Sequence, residues 1–268
     1  MEQRDNQKRQ QKKGSIVRLL CTLFFAAVFV YGAINLFGIW QEYRESETLY
    51  DNAQDEFLQS ITEENKLADA RLDFTVDFDT LQAVNEDVAG WIWMQDTVIN
   101  YPVLHSKKNN DEYLHTTYDG KNNKSGSIFI DYRNNAGYVD DNTVVYGHNM
   151  KNGSMFAVLK KLTGQQFYDA HREFYIMTPE GNRRYEIISV FQVDDLSSLY
   201  DRQFESAEDK QAWLDRVLEK SAILSPFSTT VEDTFVMLST CVSGDDLRAR
   251  IVAVGRLAEV EALYEPES

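Results

Sequence analysis

The apolar positions fall into three regimes along the chain. Residues 16–40 form a run of about 25 almost wholly apolar residues, broken only by Arg18 near its start and by small or weakly polar side chains. About 20 apolar residues cross a bilayer as a helix, so this run predicts a transmembrane span. Residues 41–70 are rich in Glu, Gln, Ala, Leu and Asp. Their apolar positions, Leu49, Phe57, Leu58, Ile61 and Leu67, have partly helical spacing and predict a stalk of one or two helices. Residues 78–85 read as a short helix. After it the texture changes to short β-branched and aromatic runs at 90–94, 98–104, 127–131 and 143–148, separated by Asn, Asp, Gly and Lys. Residues 154–162 predict a helix ending at Gly164. Runs at 173–178 and 184–193 flank Pro179-Glu180-Gly181-Asn182, a hairpin signal. The strongest internal helix is 207–222, with Ala212, Trp213, Val217 and Leu218 on one face. Strands at 235–241 and 250–257 close the pattern. Many short strands with few helices predict a mainly β domain, a barrel or a sandwich with helical additions.

Charge orients the predicted span. Arg4, Lys8, Arg9, Lys12, Lys13 and Arg18 precede or open it against only Glu2 and Asp5. Glu42, Glu45, Glu47, Asp51 and Asp55 follow it, with Arg44 the one nearby base. The positive-inside rule then puts the N-terminus in the cytoplasm and everything after Trp40 outside the cell, with Trp40 and Tyr43 suited to the outer interface. A cleavable signal peptide fits less well, because its apolar core is typically about 7–15 residues and no small-x-small site closes this run. The divisions expected are a basic cytoplasmic tail (1–15), a membrane anchor (16–40), a helical stalk (41–70) and one folded domain (71–268). The formal net charge is −16. Residues 1–18 carry +4, so the remainder carries −20 and should repel nucleic acid and anionic lipid.

The chemistry concentrates at strand ends. Of the two cysteines, Cys21 falls within the predicted span and Cys241 outside it, so they cannot pair and Cys241 is a free thiol. Cys241 ends the run 235–241. Arg250 directly precedes the run 250–257, and His148 ends the run 143–148. A thiol, a guanidinium and an imidazole at strand ends are the parts of a nucleophilic acyl-transfer site. The thiolate is the competent nucleophile, and a free thiol of pKa ~8.5 is mostly protonated near neutrality. A nearby imidazole and guanidinium favour its charged form. The imidazole can also protonate a departing amine and deprotonate an entering one. The guanidinium can donate hydrogen bonds to a tetrahedral oxyanion, and covalent capture splits one hard exchange into two easier ones. Arg248 lies two residues before Arg250 and would share its strand face. Arg256, His105, His115 and His171 read as surface residues. The histidines have no zinc-ligand spacing, and the acidic pairs Asp194-Asp195 and Asp245-Asp246 are not taken as a calcium site. No metal and no cofactor is expected.

Leu238-Ser239-Thr240-Cys241, followed closely by Arg250 and a strand, resembles the active-site signature of sortases, the membrane-anchored cysteine transpeptidases of Gram-positive bacteria. Residues 146–156, Tyr-Gly-His-Asn-Met-Lys-Asn-Gly-Ser-Met-Phe, resemble the histidine segment of class B sortases. So do Val88-Ala89-Gly90-Trp91-Ile92, Ile99-Asn100-Tyr101-Pro102-Val103, and the helix before the cysteine strand. The resemblance covers about 77–257. Met237 departs from it, standing where the family usually has Thr. The resemblance implies a closed β-barrel with N-terminal helices and a helix inserted before the cysteine strand. It gives Cys241, His148 and Arg250 the three catalytic roles, with Arg248 the alternative arginine. Residues 110–114 resemble the class B segment that lines the peptide groove with its Asn and Leu. Asn110 and Leu114, with Tyr146 and Ser239 flanking the catalytic pair, are therefore the substrate-binding candidates. The implied reaction cleaves a C-terminal sorting motif of the form Asn-Pro-x-Thr-x in a secreted protein, after Thr, through a Cys241 thioester. The acyl group then passes to an amine of a cell-wall precursor. Alternatives are a pilus polymerase using a pilin lysine, a purely hydrolytic cysteine peptidase, and a silent membrane-tethered binding domain.

Overall fold

The computed structural model describes residues 2–61, 72–194, 199–243 and 246–261; of residues 2–17, 19, 243 and 246–248 it describes the backbone alone. The expected stalk over 62–70, Asp195, Asp245 and the Arg248 side chain lie outside the described residues. The chain divides into two compact units, Met1–Glu45 and Ser46–Ser268. The first belongs to helix α1 (Glu2–Phe57). Within this helix lies a stretch long and apolar enough to cross a membrane, with Leu20, Phe24, Phe25, Phe29 and Ile34 all exposed.

The second unit opens with the last turns of α1. There Tyr50, Ala53 and Phe57 recur at helical spacing and are buried. Tyr50 meets Tyr101 edge-on at 5.1 Å and Phe57 meets Tyr118 at 6.1 Å. The helix expected over 41–70 ends at Phe57. Leu58–Ser60 is instead a strand, β1, paired antiparallel with β2 (Phe74–Val76). The backbone continues that pairing, with the Ile61 amide donating to Asp73 O and the Asp77 amide to Phe57 O. Asp77 then caps α2 (Phe78–Val84) by accepting from the Thr80 amide at 3.0 Å.

Eight strands close a barrel. They are β3 (Val88–Trp93), β4 (Asn100–Leu104), β5 (Ile128–Ile130), β6 (Asn142–Tyr146), β7 (Glu173–Thr178), β8 (Gly181–Val193), β9 (Phe235–Ser243) and β10 (Asp246–Glu261). Their order around the barrel is β10-β8-β7-β3-β4-β5-β6-β9. All neighbours run antiparallel except β4 with β5 and β6 with β9, which are parallel. The expected helix at 154–162 is a 3-10 helix over Phe156–Thr163. It begins after Met155, which takes a left-handed φ of 57° as it pairs back on Asn149. Helix α3 (Gln165–Ala170) follows it.

Strand alternation sorts side chains between two apolar clusters. Val236, Leu238, Ile251 and Ala253 join the larger cluster with Trp91 and Val103, while Phe235, Met237, Val252 and Val254 join a second beneath helix α4 (Ala207–Glu219). Ser206 caps α4 by accepting from the Asp209 amide, and Glu208 and Asp209 suit its N-terminal dipole. The buried face of α4 is Lys210, Trp213, Leu214 and Val217. Ala212 and Leu218, expected on that face, point outward. Lys210 takes the inner place because Asp141 accepts its ammonium at 2.6 Å, which satisfies a charge that burial alone would penalise.

Candidate active site

Cys241 and Arg250 are direct partners across β9 and β10. Opposed side chains on such strands stand about 4.5–5.5 Å apart at Cβ. Ser239, two residues before Cys241, shares its face, and its partner on β6 is Tyr146. This is the face of β9 and β10 that carries Met237 and Val252 to the α4 cluster, so the site lies at the edge of that cluster.

His148 arrives from β6. The Gly147 amide donates to Ser239 O at 3.2 Å, extending the parallel pairing one residue. A Cβ at Gly147 would run into Ile128 and the Phe156 ring, so glycine is what lets the chain turn here against its neighbours. The Phe156 amide donates to His148 O at 2.9 Å, holding the next loop. Asn149 spends both hydrogens of its Nδ2 on the end of β9, donating at 2.9 Å to Cys241 O and at 2.9 Å to Val242 O. The histidine loop and the cysteine strand are therefore tied directly together.

The ring of His148 is oriented from a third direction. Its Nε2 lies 2.7 Å from Leu114 O. A carbonyl only accepts, so Nε2 carries a hydrogen and Nδ1 is left to exchange a proton. The His115 ring lies nearly parallel to it, at 5.8 Å and 13°. Burial lowers the pKa of His148, the Leu114 carbonyl works against that by favouring the charged form, and the nearby His115 and Arg250 lower it further.

All seven site residues expected from the sequence line one open groove of about 240 Å³, together with Asp111, Phe129, Gly147 and Thr240. Thiol, imidazole and guanidinium thus converge from three chain segments on one concave surface, the arrangement that nucleophilic acyl transfer requires.

A sortase domain model matches residues 92–258. Sortase B of Listeria monocytogenes is 33% identical over 237 residues, which is 88% of this chain and 94% of that protein. The chain belongs to the sortase family, class B. Sortases are cysteine transpeptidases, and this enzyme is one. Solved sortase B structures share its fold. One is a sortase B complexed with triglycine, with TM-score 0.65 and 33% identity over 68% of this chain and 85% of that one. Another is a Staphylococcus aureus sortase B–substrate complex, with TM-score 0.68 and 27% identity over 82% of this chain and 99% of that one.

Around the groove of this sortase stand residues that the sequence did not single out. His115, read as surface, packs on His148. Arg256, also read as surface, does not line the groove; it lies opposite Phe235, is half-buried and pairs with Glu186 at 2.6 Å. Tyr200 shares a 2.6 Å hydrogen bond with Ser239 Oγ and stacks on Tyr146 at 6.2 Å. Burial pushes the Tyr200 phenol up to about 12, so it is a neutral partner for Ser239. Asp131, just past β5, is fully buried. Only Asn149 had a signal in the sequence, its place in the Tyr-Gly-His-Asn-Met segment.

Proposed function

We propose that this sortase anchors secreted proteins by cutting a C-terminal Asn-Pro-x-Thr-x motif after Thr and passing the acyl group to an amine of a cell-wall precursor. The observation that carries this reading is the convergence of Cys241, His148 and Arg250 in a groove also lined by Asn110, Leu114, Tyr146 and Ser239. Cys241 Sγ attacks the Thr carbonyl as its proton leaves toward His148 Nδ1. Arg250 donates to the oxyanion, and His148 returns the proton to the departing amine, leaving a thioester on Cys241. The incoming amine then gives a proton to His148 and displaces the thiolate, so nothing beyond the two peptides is consumed. Arg250 is favoured over Arg248 because it is the partner of Cys241 across the strands and lines the groove. The apolar helix at the N-terminus supports a single-pass anchor with the cytoplasmic end basic and the catalytic domain outside the cell.

The sortase B structure complexed with triglycine favours a glycine-type amine over a pilin lysine as acceptor. The test incubates the full-length chain in detergent with an Asn-Pro-x-Thr-x peptide, and adds either triglycine or a lysine-containing peptide. Ligated triglycine product is expected. Ligation to lysine alone indicates a pilin polymerase, and release of free acid unaffected by either amine indicates a hydrolytic peptidase.

A further inference from the structure

The groove carries two polar groups expected to meet substrate, the Asn110 amide and the Tyr146 hydroxyl, and one buried carboxylate lies behind both. Asp131 is 0% exposed. Its Oδ2 accepts from Asn110 Nδ2 at 3.1 Å and from the Tyr146 hydroxyl at 3.1 Å. Arg133 supplies the rest, donating from its amide at 3.0 Å and its Nε at 2.8 Å to Oδ1, and from Nη2 at 2.8 Å to Oδ2. Burial alone would raise the pKa of this carboxyl. The hydrogen bonds from Arg133 and Asn110 outweigh it and bring the pKa down to about 2, so Asp131 is ionised and can only accept.

That fixes where the hydrogens go. Tyr146 has a single O–H and spends it on Asp131, so toward the groove its oxygen offers lone pairs alone. Asn110 cannot flip, because the Tyr132 amide donates to its Oδ1 at 2.8 Å while one Nδ2–H is committed to Asp131. Its remaining Nδ2–H is a donor of fixed direction.

Building on the reading of this groove as the sorting-peptide site, we propose that Asp131 is a positioning residue that sets the groove's specificity. It makes Tyr146 an acceptor and Asn110 a donor toward the bound peptide. The groove then selects a segment that offers an N–H to Tyr146 and an oxygen to Asn110, as a backbone peptide unit or a carboxamide does and a carboxylate does not. Asp131→Asn nearly keeps the shape but puts an NH2 where Oδ2 accepts, so it can donate to the Tyr146 oxygen and free that hydroxyl to donate, while the Asn110 and Arg133 N–H groups lose that acceptor.

The test compares the full-length wild type in detergent with Asp131→Asn, Arg133→Lys, Tyr146→Phe and the Asp131→Asn/Tyr146→Phe double variant. KM and kcat are read with an Asn-Pro-x-Thr-x peptide, the rate of Cys241 alkylation with iodoacetamide, and folding by thermal melting. Asp131→Asn should raise KM about tenfold or more, the size expected for a hydrogen bond to a charged group. Its kcat should stay within about threefold and its alkylation rate should not change. Arg133→Lys keeps a cation beside the carboxylate, so it should lower the melting temperature yet leave KM near wild type, because the ionised carboxylate keeps both groove partners. The effect of Asp131→Asn should shrink in the Tyr146→Phe background, because the two changes act through one contact. An unchanged KM in Asp131→Asn overturns the proposal. So does an equal rise in Arg133→Lys, which would make Asp131 a brace for its turn. If Asp131→Asn does not fold, an unchanged KM in Tyr146→Phe overturns it instead. If the wild type alkylates normally but turns over no peptide, the sorting-peptide reading itself fails, and this inference falls with it.

Discussion

His148 is held by one carbonyl and flanked by two groups that resist its protonation, and its behaviour with pH follows from that balance. Its folded-state pKa lies below the ordinary histidine value, chiefly through burial. The folded chain therefore binds fewer protons at this site than the unfolded chain does just below pH 6.5, so protonation there opposes folding and stability falls as pH drops through that window. If His148 takes the thiol proton as proposed, the acid limb of the pH–rate profile reports His148. We predict that the acid-side midpoint of kcat/KM lies below about 6.5. His115→Phe keeps a ring against His148 and removes the neighbouring charge, so it should move that midpoint upward. A profile of kcat/KM against pH for both proteins checks this, and a midpoint that stays in place means that His115 does not act on His148.

The strands explain why so much of the site was legible. The run 143–148 ends on His148 and the run 235–241 on Cys241, Arg250 opens the run 250–257, and the β9–β10 pairing makes Cys241 and Arg250 opposite numbers. Parallel pairing of β6 with β9 did the same for Tyr146 and Ser239. The contacts that the sequence hid cross long stretches of chain: 34 residues separate His148 from Leu114, and 39 separate Tyr200 from Ser239. Asp131 followed a strand, as turn aspartates commonly do, and its burial could not be read from its neighbours. Strand β1 is three residues, Leu-Gln-Ser, too short for a period-2 signal and continuous with a helical pattern. The buried face of α4 differs from the apolar pattern because Lys210 is buried against Asp141, a partner 69 residues away that local spacing does not reveal. Helix α4 is anchored by Trp213, which is fully buried, donates from Nε1 to Leu199 O at 3.0 Å and packs on Phe235 at 5.2 Å. Trp213→Ala should cost roughly 3–5 kcal/mol, read in a thermal melt as a fall of about 10 °C in Tm. A loss of only a degree or two would mean that α4 contributes little to the barrel.

The enzyme joins an apolar N-terminal helix to an eight-stranded barrel whose outer face carries the groove. Transpeptidation depends on one covalent event at one of two free thiols. Cys21 lies exposed on α1, in the apolar stretch, and Cys241 lies half-buried in the groove. The most direct measurement is intact-mass spectrometry of the full-length chain in detergent after brief exposure to an Asn-Pro-x-Thr-x peptide without added amine, followed by peptide mapping. Thioester formation gives an adduct equal to the peptide up to and including Thr, less water. The adduct should map to Cys241, be released by hydroxylamine, and be absent in Cys241→Ala and much reduced in His148→Ala. An adduct on Cys21, or one that survives in Cys241→Ala, would contradict it.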